Sequence, residues 1–204
     1  MLDGLKLTIL ISLATIALSV ILGTVLAVMR NYGRGKLRLL NIIATAYIEL
    51  FRCTPNVLWI LLFRFAMKGS PLFISIFTFT LFTSAVVAEI IRGGLNSISK
   101  SQFESAASQG FNFAQTLIYI ALPQTFRAII PALMSQMTTI IKDTSFLKVV
   151  DIHEFMRNSS VVLGSATTLA QICLLYGFVA LTYFALNFML SCTVRSYHQR
   201  LKVM

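Results

Sequence analysis

Apolar runs long enough to cross a membrane alternate with short polar breaks along most of this chain. From Leu7 to Met29 there are 23 residues without a charge, and a helix needs about 20 to cross a bilayer. That stretch is the first predicted span. Arg30, Arg34, Lys36 and Arg38 follow around Gly33 and Gly35, a basic turn. A second apolar segment, about Leu39 to Met67, is interrupted by Glu49 and Arg52 and then by Cys53-Thr54-Pro55, where the proline predicts a kink. Gly69 to Ala88 is a third span, closed by Glu89 and Arg92. Phe126 to about Val150 is a fourth and about Leu169 to Cys192 a fifth. Between these two, residues 151–168 read as an outer connection with a short helix, His153 and Glu154 facing solvent.

One polar stretch, Ser101 to Pro123, breaks this rhythm and is itself helical in pattern. Ser101 with Glu104 three residues on is a capping-box signature. Phe103, Ala106, Ala107 and Gly110 fall on one helix face, and Gly110 is a natural left-handed stop. Asn112 with Gln115 repeats the cap, and Pro123 ends or kinks the second helix. Helix, glycine turn, helix is the expectation. On pattern alone, a short amphipathic helix lying at the membrane interface is the competing reading.

The order Glu104-Ser105-Ala106, then Gly110, then Ile120-x-Leu122-Pro123 resembles the EAA loop of ABC-importer permease subunits, with Ser105 in place of the usual alanine. Further stretches carry the resemblance towards polar-amino-acid permeases. Glu49-Leu50-Phe51-Arg52-x-Thr54-Pro55 has Cys53 where glycine is usual. Ala88-Glu89-Ile90-Ile91-Arg92-Gly93-Gly94 comes next, and Lys142-Asp143-Thr144-Ser145 has Phe146 after it where leucine is usual. The resemblance implies an all-α type I ABC-importer permease fold of five transmembrane helices, one domain over 1–204, with a cytoplasmic coupling loop at 93–123. It also implies that this loop docks on a separate ATPase subunit, and that the Lys142 to Ser145 region borders the solute path. Phe103, Phe111 and Phe113 are then candidate anchors in the partner's groove, or alternatively anchors to lipid headgroups.

Charges inside the spans change the picture most. Each costs about 2.5–3.5 kcal/mol in a bilayer centre, so Glu49 with Arg52, and Glu89 with Arg92, each three apart, are read as intramembrane ion pairs or as pairs at a boundary. Lys142 lies 16 residues past Phe126, about 24 Å along the helix, in the outer half. Either it snorkels outward, or Asp143, Thr144 and Ser145 lie near the solute path with Lys142 as counter-ion.

The net charge of +10 would suggest nucleic acid in a soluble chain, but these cations sit between apolar runs and form no patch with aromatic platforms. With the N-terminus outside and five spans, the loop cations concentrate on the side of Arg30–Arg38, Arg92, Lys100, Arg127 and the tail, leaving Lys6, Arg64, Lys68 and Arg157 opposite. Positive-inside then puts Ser101 to Pro123 in the cytoplasm. Cys53, Cys173 and Cys192 show neither disulfide nor metal spacing and are expected as buried thiols.

No phosphate-binding glycine loop and no catalytic constellation occurs in the sequence. Neither an active site, a metal nor a cofactor is expected; ATP belongs to a partner. The implied assembly is a bacterial inner-membrane importer of two permease subunits, identical or paralogous, an ATPase dimer and an extracytoplasmic solute-binding protein. The resemblance implies a polar amino acid as solute; Met137 ahead of Lys142 adds no carboxylate for a cationic side chain, which leans towards glutamine or a similar neutral one. A secondary transporter or channel using Lys142 and Asp143 as an ion relay is the alternative.

Overall fold

The computed structural model describes residues 1–33 and 35–203, with side chains described for all but Lys36 and residues 194–203. Arg34 and the tail side chains of Arg195, His198, Arg200 and Lys202 therefore lie outside the described residues. Every described element is helical: α1 (Leu2–Tyr32), α2 (Arg38–Arg52), α3 (Asn56–Ala66), α4 (Pro71–Ser97), α5 (Lys100–Ser108), α6 (Phe113–Thr116), α7 (Leu122–Asp143), α8 (Phe155–Leu163) and α9 (Leu169–Val203). Four stretches are long and apolar enough to cross a membrane, and a fifth exists if α2 and α3 are counted together.

That second span is not one helix. α2 and α3 meet at 102°, because Pro55 lacks an N–H and drives Thr54 out of helical geometry. Thr54 Oγ1 donates to the Leu50 carbonyl at 2.6 Å and accepts from Trp59 Nε1 at 2.6 Å, so the corner satisfies its own polar groups.

The centre of the molecule is the parallel pair α1 and α4. Gly4, Thr8, Ser12, Thr15, Ser19, Gly23 and Ala27 make a seam of small buried residues along α1. A methyl on Gly23 would stand 2.9 Å from Val87 Cγ1 and 3.1 Å from the Ala88 nitrogen, so the two backbones nearly touch. Such close approach is how helices associate in lipid, where apolar burial alone drives nothing. α4 is the best-covered helix, 67% buried along its most apolar window, against 22% for Phe113–Val150 and 6% for α9. The uncovered apolar faces of the last two are left for lipid or another subunit.

The insert departs from a free helix–turn–helix. Its first helix is α5, but its second is the start of the fourth span: α6, a π-helical turn at Leu117–Ala121 and α7 run on without a break. Pro123 therefore neither ends nor sharply kinks the helix. It sits in the first turn of α7, and the wide π turn ahead of it makes room for a ring that would clash with the carbonyl four residues back. The Asn112–Gln115 capping box forms, both bonds at 2.9 Å. The Ser101–Glu104 box does not. α5 begins two residues earlier, with Ser99 rather than Ser101 at its cap, so Ser101 is already helical and its hydroxyl pairs with that of Ser99 at 2.8 Å.

Two burial expectations are also corrected. All three cysteines are exposed, being on faces this chain alone does not cover. Glu154 does not face solvent beside His153: it is 0% exposed, because both its oxygens accept backbone N–H groups, from Met156 at 2.7 Å and Arg157 at 2.6 Å, capping α8.

Candidate functional site

The loop at one end of the bundle is built from three local choices. α5 ends in a Schellman turn: Phe111 N–H reaches the Ala106 carbonyl at 3.0 Å and Gly110 N–H the Ala107 carbonyl at 3.0 Å. Gly110 has φ 82°, with nothing within 4 Å of an added side chain, so conformation rather than space requires glycine. Ala106 is buried against the bundle, whereas Glu104 and Ser105 are exposed. Leu122 packs, half-buried, on the core formed by Leu26, Ile48, Ile91 and Leu117.

Tyr32, at the end of α1, wedges between the two arms of the loop. Its ring lies 5.0 Å from Phe113 and 6.3 Å from Phe103. Phe103 and Phe113 thus touch the end of α1, yet Phe113 stays 53% exposed and Phe111 37% exposed, so both present ring surface outward. Between α5 and the ends of α1 and α4 lies a cavity of about 450 Å³ lined by Asn31, Tyr32, Leu95, Asn96, Lys100 and Phe103.

Behind the loop sits a charge cluster whose pairing differs from that read off the sequence. Glu89 and Arg92 do pair, doubly, at 3.0 Å and 3.0 Å. Glu49 pairs not with Arg52 but with Arg30 at 2.8 Å. Arg30 also meets Glu89 at 2.8 Å, and Arg52 approaches Glu89 at 3.7 Å. Asn41 of α2 bonds the Arg30 carbonyl. The local i,i+3 rule fails for Glu49 because a guanidinium from another helix offers a closer partner. In sequence Arg30 looks like a loop cation. The available signal is the concentration of carboxylate and guanidinium late in α1, α2 and α4.

At the opposite end the Lys142–Ser145 stretch is divided. α7 stops at Asp143 and a 3-10 helix runs from Thr144 to Val150. Thr144 is 0% exposed, its hydroxyl donating to the Ile141 carbonyl at 2.8 Å. Lys142 and Ser145 instead share a cleft of about 450 Å³ with Met156, Tyr176, Val179 and Tyr183. Lys142 also borders a second cleft with Thr138, Asn187 and Ser191. Asp143 is half-buried and is not among the residues lining these two clefts.

Residues 19–203 match the family described as binding-protein-dependent transport system inner membrane component. The chain belongs to this family. The permease is 36% identical, over 98% of its length and 92% of the relative's, to the probable glutamine ABC transporter permease protein GlnM of Bacillus subtilis (strain 168). It is 33% identical, over 98% and 92%, to the glutamate/aspartate import permease protein GltK of Escherichia coli O157:H7. In fold it matches a crystal structure of an amino acid ABC transporter with histidines at TM-score 0.84 and 24% identity, over 98% of this chain and 92% of that one. An inward-facing MetNI methionine ABC transporter matches at TM-score 0.76 and 14% identity, over 96% and 94%. The permease is thus an inner-membrane, multi-helix component of an ABC importer with the type I permease fold.

Proposed function

We propose that this permease carries a polar amino acid, glutamine by preference, inward by alternating access, driven by ATP hydrolysis on a separate ATPase dimer. The observation that carries the reading is the loop itself. The loop presents Glu104, Ser105, Phe111 and much of Phe113 outward around a turn shaped by Gly110, while Ala106 is buried and Phe103 and Phe113 touch Tyr32 of α1. A short helix joined to α4 by only Ile98 and Ser99, and to the α6–α7 helix by the tight Gly110 turn, passes displacement into two spans.

The N-terminus outside and the loop in the cytoplasm follow from the distribution of Lys and Arg. A second permease copy, identical or paralogous, covers the apolar faces of α7 and α9 together with lipid, and a solute-binding protein delivers the amino acid from outside. Lys142 and Ser145, which share a cleft, are the favoured path-lining pair; Asp143 adjoins them and Thr144 supports them. The names of GlnM and the other glutamine permease relatives support the substrate, as does the lack of a carboxylate at Met137. Neither a cofactor nor a catalytic residue is assigned to this chain.

The test is co-purification and reconstitution with the ATPase and binding protein, comparing wild type with E104A. We expect E104A to lose most of the hydrolysis stimulated by the liganded binding protein. Wild-type uptake that needs no ATPase would overturn the reading. Uptake that prefers arginine or histidine to glutamine would overturn the substrate.

A further inference from the structure

We propose that Glu89 is a positioning residue for coupling: its carboxylate locks the loop-side parts of α1, α2 and α4 into one lever moved by the loop. The proposal rests on the importer reading. Each Glu89 oxygen is used. Oε1 accepts from Arg30 of α1 at 2.8 Å and from Arg92 Nε at 3.0 Å, and Oε2 accepts from Arg92 Nη2 at 3.0 Å with Arg52 of α2 at 3.7 Å. Arg30 carries the link on to Glu49 of α2 at 2.8 Å. Three helices therefore meet at one carboxylate whose side chain is only 18% exposed, against an Arg30 side chain at 20%.

The position in the chain makes this more than a staple. α4 reaches α5 through only Ile98 and Ser99, so a push on α5 arrives first at the end of α4. Five residues beyond Glu89, Gly94 lies so close to α7 that a methyl on it would stand 2.8 Å from Thr125 Cγ2 and closer still to Ile129 Cγ2. The end of α4 is thus held to α1 and α2 by charge and to α7 by the close packing of Thr125 and Ile129 side chains on Gly94. Without the Glu89 charge, three guanidiniums remain with Glu49 as the one carboxylate of the cluster. Arg30, the most buried of the three at 20% side-chain exposure, then lacks half of its carboxylate partners, and the mutual repulsion of the guanidiniums, only partly screened by solvent, drives α1 and α2 from α4. The loop would then move without carrying α1 and α2.

The experiment uses the whole assembly in proteoliposomes: permease, ATPase and binding protein loaded with glutamine. ATP hydrolysed per glutamine imported is measured for wild type, E89Q, R30Q, R52Q and the double variant E89Q/R30Q. Glutamine keeps the shape of the Glu89 side chain and removes its charge. E89Q and R30Q are each expected to raise the ratio about tenfold, within the range of an allosteric coupling. The double variant should be no worse than either single one, because both cut the same link. R52Q should act least, its contact being longest. ATPase co-purification should stay as in wild type. If E89Q does not assemble, R30Q and R52Q carry the same comparison. Transport and hydrolysis that fall together with their ratio unchanged would reduce Glu89 to a structural residue and overturn the proposal, as would a wild-type ratio in E89Q. A wild-type assembly whose hydrolysis ignores the binding protein would instead overturn the importer reading.

Discussion

Glu154 shows how little a residue's type says about its surroundings. It is a charged residue next to His153 in a connection between spans, yet it is fully buried, and burial pushes its carboxyl above the ordinary value while the two backbone N–H bonds pull the other way. Because the folded chain holds this proton more tightly than the unfolded one, the group's contribution to stability is fully present at acid pH. It declines as pH rises from about 4.3 through the raised value, then levels off. The melting temperature of the detergent-solubilised permease is expected to fall across that window, and E154Q to flatten the fall; an identical slope in E154Q would exclude Glu154 as its source. Arg30 makes the same point for pairing. Glu89–Arg92 is legible in the sequence because both partners sit on one helix. The Arg30–Glu49 and Arg30–Glu89 pairs are not, since they join residues that only the packing of three helices brings together.

The elements are legible wherever the cause is local. Proline at 55 predicts the break between α2 and α3, and Asn112 with Gln115 predicts the start of α6. The capping box at Ser101 does not form because Ser99, two residues earlier, begins the helix first. Pro123 does not break its helix because a π turn absorbs it, a choice that the bundle rather than the local sequence makes. Crossing geometry is likewise tertiary. Gly93 and Gly94 are adjacent and look alike in sequence, yet nothing lies within 4 Å of a side chain added to Gly93, whereas one on Gly94 collides with Thr125 and Ile129. Valine at Gly94 should therefore destabilise the bundle by about 1–3 kcal/mol through overpacking. Valine at Gly93 should remain within about 0.5 kcal/mol, as surface substitutions do. Thermal unfolding in detergent separates the two, and equal losses would contradict the close α4–α7 crossing.

For the whole molecule, orientation is the property that most needs a direct readout. In a variant with Cys53, Cys173 and Cys192 replaced, S108C on α5 should react with a membrane-impermeant thiol reagent only when the cytoplasmic face is open. S165C, after α8, should react from outside in intact cells. The reverse pattern would invert the topology and remove the loop from the ATPase. The thin coverage of α9, 6% buried along its most apolar window, belongs to this scale too. A single chain leaves that surface bare, which is what the proposed pairing with a second permease subunit requires.

The sequence by itself determined the class of protein, the approximate spans, the loop and its glycine turn, and the family. Each comes from local causes: apolar length against bilayer thickness, proline and glycine geometry, and motif spacing. Only the tertiary structure decided which charges meet, which loop aromatics touch Tyr32 and how the Lys142–Ser145 stretch is divided. It alone showed that the insert's second helix is the root of a span. Those outcomes depend on distances between residues far apart in the chain, and a buried charge or ring takes whichever partner the packing of the helices brings nearest.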